Sequence, residues 1–138
     1  MKNKRILVVD DSACFRTLMV QVLDFMGYQV ATAEDGEEAL PKMAAFQPDL
    51  VLMDIEMPML NGYDACHRIK ANPATRDTPV LLVSANKDAW DDAIAVGAND
   101  FMAKPFSLDD LGLKIKSLAP LDAPFVSTAA FGAVRTLA

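Results

Sequence analysis

The chain has 138 residues, 52% hydrophobic and 23% charged, with a net charge of -6 at pH 7. That length suits one domain of about 100–200 residues with a sizeable core, and the composition is not that of a disordered chain. The negative balance argues against binding to nucleic acid or to an anionic membrane.

No apolar run approaches the ~20 residues that span a bilayer. The basic start (Lys2, Lys4, Arg5) passes straight into a strand pattern without the apolar core of a signal peptide, so the expected setting is cytoplasmic. Cys14 and Cys66 lie far apart in unrelated patterns and read as reduced thiols rather than a disulfide or metal knuckle.

In chain order, the first strand is ILVV at 6–9, which ends in two adjacent carboxylates, Asp10 and Asp11. Like charges side by side at the end of a buried strand are costly unless a cation sits among them. Phe15, Leu18, Met19, Val22, Leu23 and Met26 then recur at steps of three and four, a helix that Gly27 stops. A second strand is expected at 28–33. Asp35 follows as an N-cap, with Glu37 and Glu38 in the first turn of a second helix, where the helix dipole favours anions. Pro41 falls about two turns in, removes a backbone hydrogen bond and crowds the Glu37 carbonyl, so a kink or a short helix is expected there.

The run LVLM at 50–53 leads to Asp54, and a third helix is expected from Gly62 or Tyr63 to about Ala71, ended by Asn72-Pro73. VLLV at 80–83 precedes Ser84, and a fourth helix over 87–96 stops at Gly97. The fifth strand, 100–103, runs into Lys104-Pro105-Phe106. A last helix starts at Ser107, with Asp110 three residues on as a variant capping box, and ends before Pro120.

The continuous apolar runs read as strands buried on both faces. Their strict alternation with helices gives a three-layer α/β sandwich with right-handed crossovers. Beyond Leu118 the composition changes to two prolines, few charges and no further strand pattern. Residues 1–119 are therefore expected to form the domain, and 120–138 a flexible tail or linker. Phe131, Val134 and Leu137 still space an apolar stripe that would suit docking on the domain or on a partner.

Ligands of open α/β sheets gather at the carboxyl ends of the strands. Those ends carry Asp10, Asp11 and Ser12, then Asp54, then Ser84, then Lys104. Each alone is ordinary, since an Asp at such a turn is usually a cap and a lone Lys is usually solvated. Together they bring three carboxylates, a hydroxyl and an ammonium to one rim. Three carboxylates around a point make the oxygen-rich negative pocket that Mg2+ requires. The ion would relieve the repulsion and hold a phosphoryl oxygen opposite the acids, with Lys104 and Ser84 adding a positive charge and a neutral donor.

The segments ILVVDDS, AEDGEEAL, PDLVLMDIEMPMLNGYD, VLLVSA and GANDFMAKPF make the chain resemble the receiver domains of two-component response regulators, over about residues 4–119. The resemblance implies a doubly wound five-stranded parallel sheet of flavodoxin-like type. It implies that Asp54 accepts a phosphoryl group from a sensor histidine kinase or a histidine phosphotransfer protein, forming an acyl phosphate. Asp10, Asp11, Asp54 and the backbone carbonyl of Glu56 would hold Mg2+. Lys104, with a cis peptide to Pro105, would bind the incoming phosphoryl group, and Ser84 would be the switch hydroxyl. Phe101 would turn inward with Ser84 and reshape the face of the fourth helix, fifth strand and fifth helix, where a downstream protein target would bind. A phosphorylation-dependent homodimer is an alternative that the resemblance leaves open.

The chain departs from that pattern at three points. Lys104 follows Ser84 by 20 residues, slightly fewer than in the family, so the fourth helix or its leading loop must be shorter. Glu56 places an acid where the family varies, within reach of the metal through water. Phe101 lacks the hydroxyl of the commoner tyrosine. His67 reads as a solvated helix residue, Trp90 as core or partner surface, and the eight methionines as core filling.

Three rivals are weaker. A phosphohydrolase of the haloacid dehalogenase type also uses an Asp nucleophile, Mg2+ and a Lys, but wants a second Asp where Glu56 stands. A flavin-mononucleotide carrier would need amide donors where Asp10-Asp11 would repel a phosphate. A phosphorylation-silent docking scaffold would normally lack one of the site residues, and none is missing.

Overall fold

The computed structural model describes residues 4–121 and 136–137. Strands and helices alternate as β1 (Arg5–Val9), α1 (Ala13–Phe25), β2 (Gln29–Ala33), α2 (Gly36–Phe46), β3 (Leu50–Asp54), α3 (Gly62–Ala71) and β4 (Val80–Ser84). A 3-10 turn (Lys87–Ala89) leads directly into α4 (Trp90–Ala95), followed by β5 (Asp100–Ala103), β6 (Phe106–Ser107), α5 (Leu108–Leu118) and β7 (Thr136–Leu137). The five main strands are parallel, in the order β2-β1-β3-β4-β5. This is the doubly wound α/β sheet expected from the sequence.

Both parities of the central strands are apolar because helices cover both faces. Ile6, Val8, Leu50, Leu52, Leu81 and Val83 pack with Met19 and Leu23 of α1 and Leu111 and Ile115 of α5. Leu7, Val9, Val51, Met53 and Leu82 face the other way, onto Met43 of α2, Ile69 of α3 and Ala93 of α4. Ser12, Asp35, Asn61 and Ser107 each accept an N–H of the first turn, Asp35 and Ser107 as the sequence leads one to expect. Gly27, with φ of 102°, lets the chain leave α1 in a left-handed turn.

Several expectations are corrected. Tyr28 precedes β2 rather than opening it; its buried hydroxyl donates to the Ala119 carbonyl at 2.7 Å, and burial pushes its pKa up to about 12. The second helix is not cut short by Pro41, since α2 runs through it to Phe46 with the proline on the exposed side. The expected helix over 87–96 is a 3-10 turn followed by only six α-helical residues. Most of 120–138 lies outside the described residues, including Phe131 and Val134. Thr136–Leu137 does pair antiparallel with Phe106–Ser107, in a ribbon separate from the main sheet. A two-residue strand is too short to write an alternation into the sequence, which is why neither partner was legible.

At the amino ends of the strands the chain is tied by side chains. The Lys70 ammonium donates to the carbonyls of Arg76 (3.2 Å) and Thr78 (2.7 Å) and to Asn99 Oδ1 (2.8 Å). Asn99 Oδ1 also accepts the N–H of Val80 at the start of β4. Arg5 N donates to Asp49 Oδ2, and its guanidinium to the Phe46 carbonyl.

Candidate functional site

The strand order reverses between β1 and β3, and the chemistry collects at the carboxyl ends on either side of that point. Asp10 directly follows β1, Asp54 closes β3, Ser84 closes β4 and Lys104 directly follows β5. Parallel register holds these ends level: Val9 lies beside Met53, Asp54 beside Val83, and Ser84 beside Ala103. A glycine is needed behind them, because a Cβ at Gly62 would stand 2.4 Å from the Asp54 carbonyl oxygen and 2.7 Å from Ile55 Cα.

One carboxylate oxygen each of Asp10, Asp11 and Asp54 falls within 4.8 Å of the other two. Asp10 and Asp54 are buried and Asp11 is exposed. The turn that carries the pair is fixed from its own residues. Asp10 Oδ1 accepts the Ser12 N–H at 2.9 Å, Ser12 Oγ caps α1 through the Phe15 N–H, and Arg16 donates to the Asp10 carbonyl at 2.7 Å. Lys104 supplies a positive charge among the acids: its Nζ lies 3.0 Å from Asp10 Oδ2 and 3.9 Å from Asp54 Oδ1. The same Nζ stands 4.2 Å from the centroid of the Phe15 ring, which holds it from below by cation–π attraction.

Burial pushes the Asp54 pKa up from 3.8 to about 7. Lys104 pulls it down, while the charges of Asp10, Glu56 and Asp11 push it further up. Asp54 is thus a carboxylate short of positive charge, and a cation in the cluster would meet that deficit. The donor set fits a hard divalent ion. Octahedral Mg2+ takes oxygens at about 2.0–2.1 Å, which places ligands on opposite sides about 4 Å apart. Ligands on adjacent corners stand about 2.9 Å apart, so three oxygens within 4.8 Å of one another would have to draw inward around the ion.

Ser84 is fully buried, and its hydroxyl donates to the Glu56 carboxylate, with Oε1 at 2.7 Å and Oε2 at 2.9 Å. Ser84 Oγ in turn accepts the Asn86 N–H at 2.9 Å. Glu56, which the sequence places within reach of a metal through water, here lies on Ser84. The register brings the loop after Asp54 near the end of β4, but the Glu56 rotamer decides which partner it takes there. Phe15 was read as core alone and Arg16 was passed over, because nothing in a helical stripe marks which member lies beneath a lysine. The Lys104–Pro105 peptide is cis.

Phe101, on β5, is buried and meets the Trp90 ring edge-on, with centroids 5.8 Å apart. Trp90, Ile94 and Leu113 are exposed on α4 and α5. A groove between β5 and α5 is lined by Phe101, Ala103, Pro105, Leu113 and Lys114. His67 is exposed on α3, and both cysteines are free.

Residues 6–116 match the family model for the response regulator receiver domain. Over 118 residues the chain is 37% identical to the alkaline phosphatase synthesis transcriptional regulatory protein PhoP of Bacillus subtilis, covering 84% of this chain and 48% of that protein. Over 122 residues it is 38% identical to Protein PilG of Pseudomonas aeruginosa, covering 87% and 90%. The chain thus spans about half the length of several curated relatives and most of another. The chemotaxis response regulator CheY4 of Vibrio cholerae superposes with a TM-score of 0.80 at 28% identity, over 85% of this chain and 99% of that one. Response regulator TrrA of Thermotoga maritima, solved in complex with Mg(2+)-BeF, gives 0.77 at 38% identity, over 83% and 98%.

Proposed function

The chain belongs to the response regulator receiver family, and on that premise we propose that Asp54 takes a phosphoryl group from a phosphohistidine in a Mg2+-dependent reaction. The donor is a sensor histidine kinase or a histidine phosphotransfer protein. A carboxylate oxygen of Asp54 attacks phosphorus, the bond from phosphorus to the imidazole nitrogen breaks, and that nitrogen keeps the electron pair. An acyl phosphate is left on Asp54. The observation that carries this reading is the convergence of three carboxylates and the Lys104 ammonium on one strand-end rim.

Asp10, Asp11, Asp54 and the Glu56 carbonyl would hold the ion, whose charge would keep the acids ionised and oppose the negative charge of the phosphoryl oxygens. Lys104 leaves its contact with Asp10 for a phosphoryl oxygen, a short move because Nζ already stands 3.9 Å from Asp54. Ser84 donates to another phosphoryl oxygen. Phe101, expected from the sequence to turn inward on activation, is already buried against Trp90; it shifts within that contact as Ser84 moves, and the change reaches a downstream protein target through the face formed by α4, β5 and α5. The exposed Trp90, Ile94 and Leu113 give that face apolar anchors. The unit formed by 1–119 is the switch and 120–138 its tail or linker. The protein acts in the cytoplasm, contacts neither nucleic acid nor membrane directly, and catalyses only its own phosphoryl transfer and dephosphorylation.

Intact mass after incubation with a small phosphodonor tests the reading, with Mg2+ or chelator, beside Asp54→Asn. One phosphoryl group should appear only with Mg2+ and only with Asp54 present. An equal gain by the Asn variant would overturn the acceptor assignment, and no gain under any condition would leave the silent scaffold.

A further inference from the structure

The contact between Ser84 and Glu56 ties the end of β4 to the loop after β3, and it uses up a resource that exists once. A serine hydroxyl has one proton to donate. Here that proton is directed at a carboxylate whose two oxygens stand 2.7 and 2.9 Å away, while Oγ is also held from the other side by the Asn86 N–H. Ser84 is fully buried while Glu56 is in place. Glu56 is exposed and returns to solvent readily once released.

We infer that Glu56 is a positioning residue that latches Ser84 in the unphosphorylated domain, so that a phosphoryl group on Asp54 must displace the Glu56 carboxylate to gain the Ser84 hydroxyl. This rests on the receiver reading above. Both acceptors are anions and both make charge-assisted bonds, so the hydroxyl moves between two strong partners rather than from water to one. The latch therefore lowers the gain from Ser84 and raises the threshold for switching. Glu56 acts through Ser84 and needs no contact with the phosphoryl group.

Beryllium fluoride with Mg2+ serves as the phosphoryl probe on the full chain, followed by the backbone amide resonances of residues 84 and 86. Wild type, Glu56→Ala, Ser84→Ala and the variant with both substitutions form a cycle. Glu56→Ala should tighten probe binding by about three- to tenfold, the scale of losing one exposed charge-assisted competitor. In the Ser84→Ala background the same substitution should tighten binding clearly less, by only the relief of charge repulsion. Glu56→Gln keeps a weaker acceptor and should fall between wild type and Glu56→Ala.

Equal tightening with and without Ser84 would assign the effect to charge repulsion and overturn the latch, as would no tightening at all. Either result leaves the receiver reading standing. If neither wild type nor any variant binds the probe, the receiver reading itself fails and the latch with it.

Discussion

Replacing Asp54 by Asn should make the metal-free protein more stable, although it removes the proposed acceptor. Asp54 has a pKa of about 7 in the fold against an ordinary 3.8. Below pH 3.8 the group is protonated whether the chain is folded or not, and it costs nothing. Between the two values the unfolded chain releases the proton while the folded one keeps it, so stability falls as pH rises. Above pH 7 the cost is full, at ~1.4 kcal/mol per pH unit across the gap, or about 4 kcal/mol as an upper value. Asn cannot ionise. In chelator at pH 8 the Asn variant should therefore gain about 2–4 kcal/mol, and about 2 kcal/mol of the gap should close by pH 5.5. Urea unfolding followed by circular dichroism at several pH values measures this. Added Mg2+ should narrow the gap at pH 8, because wild type gains binding energy that the variant lacks. A gap that does not change with pH, or a more stable wild type at pH 8 in chelator, would refute the reasoning.

Three further outcomes are expected. A thiol reagent at pH 8 should modify Cys14 alone in the folded protein. Cys66 is fully buried with its pKa pushed up by burial to about 11, and should react only on unfolding. Pro41→Ala restores an N–H within α2 at an exposed position and should raise stability by about 1–3 kcal/mol in urea melts. Gly62→Ala drives a methyl group into the backbone at Asp54 and Ile55. It should cost about 2–4 kcal/mol in the same melts and slow phosphorylation measured by intact mass.

The sheet was legible because burial on both faces writes unbroken apolar runs, and each main strand lies within a residue of its expected bounds. The caps Asp35 and Ser107 were legible for a similar reason: one side-chain oxygen and one N–H, three residues apart, are a local matter. Pro41 misled because the packing of Ala39 and Met43 outweighs one lost hydrogen bond. The gathering of Asp10, Asp54, Ser84 and Lys104 followed from topology, since parallel strands in register deliver their ends to one rim. Which side chain touches which did not follow. Whether Glu56 turns to a metal or to Ser84, and whether Phe15 lies under Lys104, depends on rotamers and loop paths that no periodicity encodes.

The bonds of Lys70, Asn99, Arg5 and Asp49 sit at the edge of the sheet opposite the acids, and that asymmetry has a consequence for where the molecule can yield. One end of the sheet is sewn by side-chain donors and acceptors that join helix, loop and strand. The other end has side-chain bonds too, but they join groups that a phosphoryl transfer would rearrange, among carboxylates that repel one another. Amide protons along a single strand should then exchange in a gradient, slowest near Val80 and Arg5 and fastest towards Ser84 and Asp10. Openings confined to the fast end would let the rim rearrange around a new charge while the sewn end keeps the strands in register.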